Sequence, residues 1–247
     1  MAWPDGQTAP DDGAPILEVE NLSAGYGPLT AVFDADLRLR RGEVVALMGH
    51  NGAGKTTTVK SIVGLVKARS GTIRYAGKDV TAQGPRRNVS SGMSFTPAEA
   101  FVFADLSVHD NLRLGALSNT SAERREQRME QVLELFPILG ERAKQRAGTF
   151  SGGQQRMLSV GIALMSDPRL MLLDEPSLGL SPAVVEQILA TLRDLATKEQ
   201  MTVLLVEQNM KYALEVADRM VIMHSGRTTL DATAEEMRAR ESWWDLF

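Results

Sequence analysis

The sequence predicts an α/β protein built on a largely parallel sheet with both faces covered, and three observations carry that prediction. Short apolar runs recur at 44–48, 170–173, 202–206 and 220–223, with helical stretches such as 182–198 and 210–217 between the later ones. A glycine-rich loop, Gly49-His50-Asn51-Gly52-Ala53-Gly54-Lys55-Thr56, follows the first run and leads into a helix expected over 56–65. The second run ends in two acids, Asp174 and Glu175.

Taken in order, 16–21 reads as a short strand, and 37–40 alternates apolar and basic residues before an Arg41-Gly42 turn feeds the strand at 44–48. Residues 71–75 form another strand, closed by Gly77. From about 97 to 147 the strand signal fades. There 108–117 and 122–136 read as helices, the second with Met129, Val132, Leu133 and Phe136 on one face, so this stretch is a mostly helical insertion. The strand–helix alternation then resumes, and Thr233 to Glu236 fits a capping box that opens a last short helix.

A chain of 247 residues can bury a core as one large domain or as a domain with a sizeable insertion. With no cysteine, disulfides, thiol catalysis and thiolate metal sites are excluded, and His50, His109 and His224 are too scattered to suggest a metal cluster. A net charge of −4, from 27 basic and 31 acidic residues, argues against a free-standing nucleic-acid binder. No apolar run approaches the length needed to cross a bilayer. Residues 1–15, acidic and rich in Pro and Gly, read as a disordered arm rather than a signal peptide.

The chemistry concentrates at two places. In the glycine loop, backbone N–H groups converge on phosphate oxygens, the following helix adds unpaired donors, Lys55 reaches terminal phosphates, and the Thr56 hydroxyl can ligate Mg²⁺. The binding set is Gly49, His50, Asn51, Gly52, Ala53, Gly54, Lys55, Thr56 and Thr57, with the His50 ring exposed and not a ligand. At the end of the 170–173 strand, Asp174 is placed to hold Mg²⁺. Glu175, expected to point the other way by strand alternation, is placed to orient and deprotonate an attacking water. A further glycine element, Ser151-Gly152-Gly153-Gln154-Gln155, opens an amphipathic helix whose N–H groups stand open to an anion.

The ordered set of phosphate loop, Ser151 to Gln155, and the run from Leu170 to Pro182 resembles the ATP-binding cassette (ABC) ATPases, the nucleotide-binding subunits of ABC transporters, over about 16–231. That resemblance implies a P-loop NTPase core of mostly parallel sheet in two parts, 16–96 with a small antiparallel β subdomain and 166–231. Between them lies a helical signature subdomain at 97–165, and a helix and tail at 232–247 follow. It also implies ATP and Mg²⁺ as ligands and a head-to-tail dimer with a second ATPase subunit. Across that dimer Ser151, Gly152, Gly153 and Gln154 would face the other subunit's phosphate, and Tyr26 would stack on adenine.

Runs such as Val102 to Val108, Asp174 to Pro182 and Val206 to Asn209 are similar to branched-chain amino-acid import ATPases of the LivF type. Relatives for urea and short amides share nearly the same words, and soluble ABC ATPases acting on ribosomes or DNA remain an alternative, although this chain carries neither a second cassette nor a coiled coil. The transporter reading implies two membrane permease subunits, an extracytoplasmic solute-binding protein, and a peripheral position on the cytoplasmic face of the membrane.

Three positions depart from the family pattern. Ala98 stands where a Gln or Glu sensor is usual, leaving either Glu99 to reach in or the contact absent. Gln208 replaces the usual switch His, favouring positioning over proton transfer and leaving Glu175 as base. Ser181 replaces a common Asp at the dimer interface. Elsewhere, the twelve methionines read as core, Arg86-Arg87 as a solvated loop, and Trp243, Trp244, Leu246 and Phe247 as a tail that docks on its own domain or marks a partner surface.

Overall fold

The computed structural model describes residues 13–118, 121–240 and 242–243. Most of the N-terminal arm, together with Trp244, Leu246 and Phe247, lies outside the described residues.

Two long strands, β1 (Pro15–Tyr26) and β2 (Leu29–Arg40), form a hairpin ahead of β3 (Val44–Met48) and helix α1 (Lys55–Ile62). Next come β4 (Ala68–Tyr75), β5 (Lys78–Asp79), α2 (Pro85–Ser90) and β6 (Met93–Thr96). Four helices follow, α3 (Val108–Gly115), α4 (Ala122–Leu135), α5 (Pro137–Glu141) and α6 (Gly152–Leu164). The chain then alternates through β7 (Leu170–Asp174), α7 (Pro182–Glu199), β8 (Thr202–Glu207), α8 (Met210–Val216) and β9 (Arg219–His224), and closes with β10 (Arg227–Thr233) and α9 (Ala234–Arg238).

The strands sort into two sheets. An antiparallel sheet has the order β2-β1-β4-β5, and a six-stranded sheet has the order β10-β9-β3-β8-β7-β6. In the larger sheet β9, β3, β8, β7 and β6 run parallel, and β10 pairs antiparallel at its edge. The phosphate loop follows β3 and the acid pair closes β7, with β8 between them, so all three strand ends gather at the carboxyl edge where ligands of such sheets collect.

Side-chain alternation divides the core into two layers. Val44, Ala46, Met48, Met171, Leu173, Val203 and Leu205 face the helices α3 to α8. Val45, Leu47, Leu170, Leu172, Leu204 and Val206 face α1 and the antiparallel sheet. Because both faces are covered, these strands are apolar throughout, and each fully buried aliphatic side chain contributes about 1.5–3 kcal/mol. On α4, Val132 and the capping Phe136 are fully buried, with Met129 and Leu133 packed beside them.

One ion cluster ties α4 to the core. Arg128 pairs with Asp167, which lies just before β7, and donates to Glu199 at the end of α7 at 2.8 Å, while Arg124 reaches Asp167 at 2.7 Å. Burial alone would depress the Arg128 guanidinium, and the Asp167 and Glu199 carboxylates more than offset it.

Several local readings change. Arg86 and Arg87 are exposed but lie in helix α2, started by Pro85 at a position where its missing N–H costs nothing, and not in a loop. Trp243 docks on its own domain, its indole N–H donating to the Met237 carbonyl at 2.9 Å. The capping box at Thr233 and Glu236 forms as the sequence predicts. No helix among the described residues is long and apolar enough to cross a membrane.

Candidate functional site: the phosphate loop and its acids

The loop from Gly49 leaves β3 and enters α1 through Gly54, whose φ of 102° belongs to the left-handed region. A Cβ on Gly54 would also lie 2.8 Å from the Ala31 carbonyl oxygen, so strand β2 passes too close for any side chain there. No side chain caps this helix start, which leaves its first N–H groups for an incoming anion. Lys55, only 5 % exposed, folds back into its own loop and donates to the carbonyls of Gly49 at 2.6 Å and His50 at 3.0 Å. Burial lowers its pKa, against the opposing pull of the Glu175, Asp174 and Glu207 carboxylates. Thr57 is buried in the first turn of α1, and His50 is exposed.

Asp174 is 2 % exposed at the end of β7 and accepts a hydrogen bond from the Thr56 hydroxyl at 3.1 Å. Burial raises its pKa and Glu175 adds to the rise, while the Thr56 hydrogen bond and the Lys60 and Lys55 charges oppose it. Glu175 does not follow strand alternation. Its backbone adopts a φ of 44°, its N–H donates to the Val206 carbonyl at 2.9 Å, and this left-handed turn, not the pleat, aims its side chain. The carboxylate accepts from Gln208 Nε2 at 2.5 Å and lies 3.9 Å from Lys55 Nζ. The same Gln208 nitrogen donates to Asn51 Oδ1 at 2.7 Å, which ties loop, acid and switch position together.

Two buried charges escaped the sequence reading. Glu207, 1 % exposed at the end of β8, accepts from the backbone N–H groups of Ser177 at 3.3 Å and of Gln208 at 3.1 Å. Arg156, 2 % exposed on α6, donates to the carbonyls of Pro97 at 2.5 Å, Ala98 at 3.1 Å, Asp174 at 2.9 Å and Pro176 at 3.3 Å. Burial pushes its pKa down to about 10, with Asp174 and Glu207 resisting, so it stays charged near neutral pH. The signal was present: Arg156 is the one charge in the otherwise uncharged helix from Gly152 to Leu164, and a lone charge on a buried helix needs partners. At Ala98 the anchored group is thus the backbone, and Glu99 is exposed.

The remaining predicted residues stand on separate elements. Ser151 and Gln154 pair with each other in a capping box at the start of α6, with Gly152 facing open space and Gly153 set against Val184. Tyr26 is 51 % exposed at the tip of the first hairpin. Ser181 starts α7 with an exposed side chain that caps nothing.

A glycine loop that ends in a lysine, with a threonine hydroxyl beside a buried aspartate, is the arrangement that defines phosphate-loop nucleoside triphosphatases. Within that class the match is specific: the family model described as ABC transporter matches residues 32–178. The chain belongs to this family and is an ATP-hydrolysing nucleotide-binding subunit. It is 42 % identical over 218 residues to the high-affinity branched-chain amino acid transport ATP-binding protein BraG of Pseudomonas aeruginosa, covering 88 % of this chain and 93 % of that protein. It is 36 % identical over 231 residues to the probable branched-chain amino acid transport ATP-binding protein LivF of Archaeoglobus fulgidus, covering 94 % and 98 %. A solved ATP-binding subunit of an ABC transporter superposes with a TM-score of 0.81 at 31 % identity, over 93 % of this chain and 96 % of that one.

Proposed function

We propose that this chain powers an importer of branched-chain amino acids or similarly small organic solutes, acting as one ATPase of a head-to-tail pair on the cytoplasmic face of the membrane. The observation that carries the substrate class is the 42 % identity to BraG across nearly the whole of both chains. In this reading two integral membrane permeases receive the motion, and a solute-binding protein delivers the cargo from outside.

The Thr56 hydroxyl and Asp174 carboxylate, 3.1 Å apart, are hard oxygen donors of the kind Mg²⁺ takes. Bound there, the ion neutralises charge on the ATP phosphates. The chain's own residues do the rest. Lys55, the backbone of the loop from Gly49 and the uncapped N–H groups at the start of α1, through Thr57, hold the phosphates. Glu175 takes the proton of the attacking water, and Gln208 holds that carboxylate in place from one side while gripping Asn51 on the other. At the exposed start of α6 the capping box takes the Ser151 and Gln154 N–H groups. Gly152 and Gly153 therefore offer the backbone donors to the ATP of the facing subunit and the Ser151 and Gln154 side chains flank them, carried on the helical part at 97–165. Tyr26 offers its ring to the adenine.

The test is to trap the Glu175→Gln chain with MgATP in native membranes and identify what co-purifies. Two multi-spanning permeases with a second, similar ATPase support the importer reading. Recovery with ribosomal or DNA factors and no membrane chain would overturn it.

A further inference from the structure

We propose that Arg69 is a positioning residue for adenine recognition, fixing the hairpin tip that carries Tyr26. The inference rests on the reading of Tyr26 as the adenine platform.

The tip needs such a brace. Strands β1 and β2 are joined by only Gly27 and Pro28, with Tyr26 opposite Leu29 and Gly25 opposite Thr30. Gly27 takes a φ of 50°, the left-handed first position that tight two-residue hairpins require. The turn closes so tightly that a Cβ on Gly25 would sit 2.0 Å from the Leu29 carbonyl oxygen. On its other side β1 is supported by β4 only as far as the pair Ala24 and Ala68. Beyond that point the ladder stops, and the tip would project with its carbonyls facing water.

Arg69, the next residue of β4, takes the place of the missing strand. One guanidinium nitrogen donates to the Gly27 carbonyl at 2.6 Å and the Leu29 carbonyl at 2.9 Å. The other donates to the Thr30 hydroxyl at 2.8 Å and the Pro28 carbonyl at 3.4 Å. Four acceptors from four consecutive residues suit a planar fork of fixed donors, and a lysine ammonium cannot span them. Just below the tip the same hairpin is held independently, since the Ala31 carbonyl abuts Gly54 in the phosphate loop. Held at the tip and just below it, the hairpin presents Tyr26 at 51 % exposure and Leu29 at 73 %, large apolar side chains left uncovered on a rigid support.

The experiment compares binding of MgATP with binding of magnesium tripolyphosphate, which has no base, to the full chain and to Arg69→Ala, Arg69→Lys, Tyr26→Ala and the Tyr26→Ala/Arg69→Ala double variant. Arg69→Ala is expected to weaken MgATP about tenfold, at the lower end of the loss of one base–aromatic stack, and to leave tripolyphosphate unchanged. Arg69→Lys should recover part of the loss, and the double variant should bind no more weakly than Tyr26→Ala alone. Equal weakening of both ligands by Arg69→Ala would reduce Arg69 to a general structural support and overturn the inference. Loss of MgATP binding in Tyr26→Ala but not in Arg69→Ala would overturn it while leaving Tyr26 as the platform. Unchanged binding in Tyr26→Ala would remove the adenine reading and this inference with it.

Discussion

Gln208 Nε2 donates to Glu175 Oε1 at 2.5 Å, and the same nitrogen donates to Asn51 in the phosphate loop at 2.7 Å. A carboxylate only accepts, so Gln208 must present its amide N–H₂ to Glu175, and both hydrogens of that group are engaged. The side chain at this position therefore orients the proposed base without exchanging protons itself. Lys55 Nζ, 3.9 Å from the same carboxylate oxygen, supplies the nearest positive charge.

Removing that brace should slow the chemical step more than it weakens binding. Gln208→Ala is expected to lower kcat about tenfold with little change in the KM for ATP. Gln208→His restores a donor that titrates, so its rate profile should acquire an inflection at about pH 6–7 that the parent lacks. Steady-state hydrolysis across that range checks both.

Burial raises the Asp174 carboxyl above its usual 3.8. Between those two values the folded chain keeps a proton that the unfolded chain has released, so stability falls as pH rises through that window. Above the window, charged Asp174 is a standing cost to the nucleotide-free fold. Asp174→Asn should raise Tm at neutral pH, with the gap to the parent closing as pH falls toward 3.8, and should lose the Mg²⁺-dependent part of stabilisation by ATP. Thermal melts with and without MgATP at several pH values measure this.

Arg156 joins α6 to the segment at Pro97 and Ala98 and to the strand end at Asp174. Arg156→Met keeps much of the volume and leaves four carbonyls to find other donors. We expect a loss of about 3 kcal/mol in denaturant unfolding, the scale for breaking a buried charged cluster from one side.

Arg128 holds Asp167, whose side chain is 9 % exposed, and Glu199, at 30 %. Arg128→Met should destabilise the chain, while Arg124→Met, removing a partner that is itself 45 % exposed, should cost well under half as much. Urea unfolding of the two variants side by side tests the ranking.

Strands whose two faces are both buried were legible almost to the residue. Val44–Met48 coincides with its prediction, and Leu170–Asp174 and Thr202–Glu207 each extend it by one residue, because a continuous apolar run admits few alternatives. Met93–Thr96 was not legible, being four residues of alternating polarity at a sheet edge. Arg227–Thr233 was missed because its threonines and Asp231 form an edge strand with no fully buried residue. The start of β2 was hidden by Asp34 and Asp36, which take hydrogen bonds in the sheet without looking like strand formers. In the site, the phosphate loop is contiguous, so sequence order displays it. Arg156 and Glu207 acquire their meaning only when residues 97, 156, 174 and 207 meet in space. Strand alternation could not orient Glu175, because a left-handed turn begins directly after Asp174, the last strand residue.

Whether Glu175 is the base of this ATP-hydrolysing cassette is decided by ATP binding and steady-state hydrolysis of Glu175→Gln measured in the same preparation. We expect ATP affinity close to that of the parent and a kcat lower by about 10²–10⁴-fold. Parental turnover in that variant would contradict it and assign the proton to another group.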